Sequence, residues 1–173
     1  YLASNPSPVI QEDGSVMMIF KGRAHTENGK YSDMALGIAY APNIEGPYTV
    51  LNNDQPIFQV DGQGEAEDPF LWKDFKGYHA IFKDHVAKYT GERGGGVMAH
   101  STDGVHWTVD KDPKAYSRAV EWEDGKVEMQ GQLERPFLFF ENGKATHAFF
   151  ATMDGPGGFE NATKSWNMVI PLK

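Results

Sequence analysis

The sequence predicts an all-β chain: about three four-stranded antiparallel sheets, stacked as the blades of a β-propeller whose ring is incomplete. Three observations predict it. First, an acidic residue, a proline and an apolar run occur together twice, as Glu67-Asp68-Pro69-Phe70-Leu71-Trp72 and Glu134-Arg135-Pro136-Phe137-Leu138-Phe139. Second, each is followed by a glycine and a second apolar run ending in phenylalanine, Gly77 to Phe82 and Gly143 to Phe150. A third copy runs from Ser7-Pro8-Val9-Ile10 through Gly14 to Phe20. Third, the residues before the prolines fall at 7, 68 and 135, a period that marks a repeat architecture.

A single such unit cannot bury both faces of its sheet, so the units must stack on one another. Natural propellers close with about 4–8 blades. Three units therefore make an arc, and the expectation is one partial propeller domain over 1–173, with blades at 5–52, 66–110 and 132–173. The remainder of the ring is expected from an N-terminal part of the protein or from a second chain. A β-sandwich of short strands is the alternative topology.

In the first unit, Asn5-Pro6-Ser7-Pro8 excludes helix and favours extended backbone. Strand A is expected at 8–12, a turn at Glu12-Asp13-Gly14, strand B at 15–21, strand C at 34–41 and strand D at 48–51. The second unit repeats the plan at 69–73, 78–83, 97–101 and 106–109. Here His106-Trp107-Thr108-Val109 parallels Pro47-Tyr48-Thr49-Val50. The third unit gives strands at 136–140, 145–151 and 166–172, without a fourth, and such an open edge needs a cover. Residues 110–130 form a charged connector with no clear period.

Charge and composition narrow the function. A net charge of −8 and a pI near 5.2 argue against nucleic acid or an anionic membrane surface as partner. No apolar run approaches the roughly 18 residues of a membrane span. Without cysteine there are no disulfides and no thiolate metal sites. The first residue is Tyr1 rather than methionine, so a removed leader is compatible with the sequence, and a secreted or periplasmic bacterial protein is expected.

In a blade, the start of strand A and the end of strand B lie on the same rim. That places Ser7, Asp68 and Glu134 beside Arg23, His85 and Asp154, walled by long glycine-rich loops at 22–33, 84–96 and 153–165. Carboxylates held together at a narrow axis separate in pKa, which is what glycoside hydrolysis asks of its acid and its base. Against this stands a purely structural role, because an acid before a proline is a common turn former. Successive strand residues also face opposite ways, so Asp68 aligns with Arg135 and Glu134 with Glu67, and one of these pairs is expected to be a structural ion pair.

At these motifs the chain resembles the five-bladed β-propeller glycoside hydrolases of families 43, 62, 32, 68 and 117. Those enzymes carry Asp-Pro on one blade and Glu-x-Pro about one blade later, as Asp68-Pro69 and Glu134-Arg135-Pro136 do here. Residues Ala39 to Thr49 resemble an outer hairpin of family 43. The resemblance implies a glycosidase acting on plant or algal oligosaccharides, with Glu134 as general acid and Asp68 as the carboxylate that orients the sugar and tunes that acid. Ser7, Arg23, His85, Arg135 and Asp154 would be substrate-binding. The family's third carboxylate, the base or nucleophile, has no match here and would lie upstream of Tyr1, which would leave this chain inactive alone.

Other features weigh towards structure. The histidines lack metal spacing, although His85 or His147 could approach an axial calcium or other cation. Ser101 to Trp107 reads as an Asp-box turn. Gly94-Gly95-Gly96 is no phosphate loop, since no Lys-Ser/Thr follows. The four tryptophans read as packing residues, with Trp122 the best exception as a sugar platform. The contrasting function is a non-catalytic propeller that binds carbohydrate or a protein on the same rim.

Overall fold

The computed structural model describes residues 2–51, 55–58 and 65–172. Tyr1, Asn52 and Lys173, at the limits assigned above, lie outside the described residues. Those described contain no helix, and so no helix long and apolar enough to cross a membrane.

Thirteen strands form three blade-like sheets and one hairpin. The first sheet has the order β1 (Leu2–Ile10), β2 (Val16–Arg23), β3 (Ala35–Ala41) and β4 (Thr49–Val50). The second has β5 (Ala66–Asp74), β6 (Gly77–Asp84), β7 (Gly95–Ser101) and β8 (Thr108–Tyr116). After the hairpin of β9 (Ala119–Glu121) and β10 (Val127–Met129) comes a three-stranded sheet of β11 (Gln132–Glu141), β12 (Lys144–Met153) and β13 (Ser165–Pro171). All pairings are antiparallel. The third sheet lacks a fourth strand, as expected. The connector is not irregular: β8 runs on to Tyr116 and the hairpin fills the rest.

The inner strands start earlier than their prolines suggested, because each proline sits in a bulge rather than at a strand end. The register passes from Ser4↔Lys21 to Ser7↔Ile19, from Glu67↔Lys83 to Phe70↔Ile81, and from Glu134↔Ala151 to Phe137↔Phe149. Proline has no N–H to give the ladder, so an interruption there costs little. These registers correct the repeat alignment. Asp68 is matched by Asn5, before Pro6, and not by Ser7; Ser7 matches Phe70 and Phe137. Glu67 matches Glu134, and Asp68 matches Arg135.

Two cores lie between the sheets. Ile19, Leu36 and Ile38 meet Tyr78, Ala80, Phe82, Val97 and Ala99 between the first and second sheets, and Phe58 stacks on Phe82 with centroids 4.6 Å apart. Burying a side chain such as Phe82 contributes about 1.5–3 kcal/mol. Leu133, Ala148, Phe150 and Met168 form the second core with Val120 and Tyr116. The Tyr116 ring lies directly against Gly96, leaving no room for a Cβ there. Strand β5 touches β1 on one side and β11 on the other, so the three inner strands stand side by side. Their first residues pair with the last residues of β2, β6 and β12 (Leu2↔Arg23, Ala66↔Asp84, Gln132↔Met153), and this defines one rim.

Candidate active site

The residue before each bulge proline takes left-handed backbone, with φ of 54° at Asn5, 51° at Asp68 and 56° at Arg135. Asparagine and aspartate tolerate this region, whereas for arginine it costs on the order of 1–3 kcal/mol. At Arg135 it is held by Asp68: the arginine Nε lies 3.0 Å from Oδ1, and its backbone N–H donates to Oδ2 at 3.1 Å. Asn5 Nδ2 donates to Asp68 Oδ1 from the other side. Asp68, only 1% exposed, therefore ties three inner strands together, and the pair expected to be structural is Asp68–Arg135.

One residue earlier, Glu67 and Glu134 meet lysines in a repeated pattern. Lys21 Nζ on β2 lies 2.7 Å from Glu67 Oε1 in the next sheet. Lys83 Nζ on β6 lies 2.7 and 2.8 Å from the two oxygens of Glu134 in the sheet after that. Lys83 also lies 3.0 Å from Glu67 Oε2, its cross-strand partner. Glu67 thus receives two ammonium groups. Glu134 receives one, because Ala151 stands where its own cross-strand lysine would be.

The environments push the two glutamates apart. Burial alone would raise Glu67, but the His85 hydrogen bond, the Lys83 charge and the Lys21 hydrogen bond outweigh it and hold the carboxyl well below its ordinary range. Burial raises Glu134, and nearby Asp68 adds to the rise; Lys83 opposes both but does not prevail. For Lys83, burial favours the neutral amine, yet Glu134 and Glu67 overcome it and the ammonium is stabilised. A site with one ionised and one protonation-prone carboxyl can donate a proton at Glu134.

Glu134 fronts a rim depression of about 520 Å³ lined also by Arg135, Ala151, Phe159, Trp166 and Asn167. Trp166, expected as a packing residue, is 37% exposed there. Trp122 is similarly exposed, but in a separate groove beside the acidic hairpin.

The other expected site residues divide. Arg23 Nη2 lies 3.1 Å from Glu65 Oε1, and His85 bridges Glu65 and Glu67 at 3.7 and 3.5 Å, so both join the cluster. Ser7 does not: its buried hydroxyl accepts the Leu71 N–H at 2.7 Å and links β1 to β5. Asp154 closes its own loop, accepting from Thr163 N, Thr163 Oγ1 and Lys164 N. His147 Nδ1 meets the Thr146 hydroxyl at 3.0 Å. Glu67, Asp68 and Glu134 approach closely enough to share a cation, but Lys83 and Arg135 already engage their oxygens, so no metal centre is assigned.

Lys21, Lys83, Ala151, Glu65 and Asn5 escaped the sequence reading. The signal for the lysines was present in Ile19-Phe20-Lys21 and Ile81-Phe82-Lys83, which become Phe149-Phe150-Ala151 in the third unit.

No protein-family model and no curated protein sequence matches the chain. Solved structures do. A glycoside hydrolase matches 99% of this chain at a TM-score of 0.66 and 11% identity. The fold is that of propeller-type glycoside hydrolases. A BT0996–RGII complex matches equally well. The Bombyx mori GH32 beta-fructofuranosidase in complex with sucrose covers 95% of this chain at a TM-score of 0.56 and 15% identity. The chain spans 46% of the first two structures and 32% of the third, so it accounts for at most about half of such a propeller. Within that fold the glutamate–lysine cluster occupies the rim from which the long loops 24–34, 85–94 and 154–164 rise.

Proposed function

We propose that the chain is part of a glycoside hydrolase acting on plant or algal oligosaccharides, with Glu134 as the general acid. Glu134 donates its proton to the glycosidic oxygen as the bond breaks. Asp68, fixed by Asn5 and Arg135, keeps the proton affinity of Glu134 high. The base or nucleophile comes from sequence beyond this chain. The observation that carries the reading is the raised carboxyl of Glu134 at the mouth of a depression, beside a second carboxyl held ionised.

The ring would be completed on the outer face of the third sheet. Phe137, Phe139, Phe149 and Val169 are exposed there, at 51%, 45%, 40% and 52%. They match Phe70, Trp72, Ile81 and Met98 of the second sheet, where Ile81 is only 3% exposed. A further sheet on that face would bury them in the same way.

One observation favours a non-catalytic, carbohydrate-binding propeller: Lys83 engages both oxygens of Glu134, as a structural staple would. Aryl glycosides with good and poor leaving groups separate the two, assayed with the full-length protein and its Glu134→Gln variant. Loss of activity confined largely to the poor leaving group supports the acid; an unchanged rate with that substrate removes Glu134 from the role.

A further inference from the structure

We propose that Lys83 and Ala151 together set the protonation of Glu134, Lys83 as a fixed cation supplied by the preceding sheet and Ala151 as the position that withholds a second one. The functional weight of this proposal rests on Glu134 being the acid; its electrostatic content does not.

The repeat supplies an internal comparison. Glu67 and Glu134 occupy the same backbone position in consecutive sheets, each two residues before a bulge proline. Each meets a lysine from the preceding sheet at 2.7 Å. They differ at the cross-strand position, Lys83 for Glu67 and Ala151 for Glu134. That exchange removes an ammonium group, and it also removes a long side chain from the wall of the depression in front of Glu134. The same residue choice therefore leaves the carboxyl free to hold a proton and leaves space for a ligand oxygen to reach it.

The charged and titratable groups that face Glu134 among the described residues come from four strands. Lys83 comes from β6, Glu67 and Asp68 from β5, Arg135 from its own strand, and the Tyr116 hydroxyl from β8. Arg135 is engaged with Asp68, and Lys21 and His85 act through Glu67. Lys83 is thus the cation in direct contact with Glu134 among the described residues, and it is held in place by Glu67 as well as by Glu134. Lys83 and Ala151 are positioning residues; neither is asked to touch a reacting bond.

Carboxyl-carbon NMR titration of the chain tests this directly, with Glu134 assigned by its disappearance in Glu134→Gln. Ala151→Lys should lower the Glu134 titration by about one to three pH units, the effect of an opposite charge within contact range. Lys83→Met should raise it by a similar amount. Ala151→Gln, which fills the space without charge, should leave it close to its starting value. An unchanged titration in folded Ala151→Lys overturns the proposal, as does a shift in Ala151→Gln equal to that of the lysine. If Ala151→Lys does not fold, Lys83→Met carries the test, and a titration that fails to rise overturns it. In the full-length enzyme, Ala151→Lys should also move the alkaline limb of kcat/KM downward, where an acid loses its proton. A shifted titration with an unmoved limb supports the electrostatic account and counts against Glu134 as the acid.

Discussion

Glu67 and Glu134 are the same residue in the same bulge of consecutive sheets, and they end in opposite chemical states. Glu67 is ringed by Lys21, Lys83 and His85 and is held ionised. Glu134 keeps one of the two lysines, gains the nearby Asp68, and is pushed toward the protonated form. The scaffold is constant, so the difference comes from cross-strand neighbours. A repeat fold can build a structural staple and a proton donor from one template by changing a single side chain opposite.

The comparison breaks most severely at the residue both glutamates share. Lys83→Met leaves Glu134 without its cation and Glu67 with half its compensation. The expected loss is about 3–5 kcal/mol, as when one partner of a buried ion pair is removed, and urea denaturation measures it. A loss below about 1 kcal/mol, the range of an exposed pair, would mean that the pairs are not jointly held. Gly96→Ala should be next. The new methyl collides with the Tyr116 ring and should cost about 1–3 kcal/mol by overpacking, seen as a lowered Tm and loosening of the core around Phe150.

Lys21→Met sharpens the comparison rather than breaking it. It reduces Glu67 to one lysine, the count Glu134 has, at a cost of about 1–2 kcal/mol. It should also raise the Glu67 titration toward the ordinary carboxylate range, while Glu134 barely moves. The smallest effect is in the pH dependence of stability. Glu67, with a depressed folded pKa, contributes stability that is present above about pH 4.3 and lost as pH falls through the folded value. Glu134, with a raised folded pKa, contributes stability that is present below about pH 4.3 and lost as pH rises through the folded value. Wild-type protein should therefore lose stability on both sides, and Glu134→Gln should flatten only the upper side in chemical denaturation followed across pH.

The fold was legible because proline, glycine and apolar runs recur in register: the three sheets and the missing fourth strand of the last follow from them. What failed was local. Asn5-Pro6 and Ser7-Pro8 are both residue–proline pairs, and only the pairing with β2 shows that Pro6 occupies the bulge. The connector was opaque because β8 is charged and half exposed and so lacks alternation. At the site, Asp68 and Glu134 stand together as the motifs implied. Lys83 was missed because the sequence shows which residues repeat but not that a lysine on one sheet reaches a glutamate on the next. The Ile-Phe-Lys repeat carried that information, with Ala151 its telling exception.

The most direct test of the central claim is a single carboxyl-carbon NMR titration that follows Glu67 and Glu134 in the same sample. The account predicts that Glu134 titrates above the ordinary glutamate value of about 4.3 and Glu67 well below it. Coincident titrations, or Glu67 above Glu134, would contradict it.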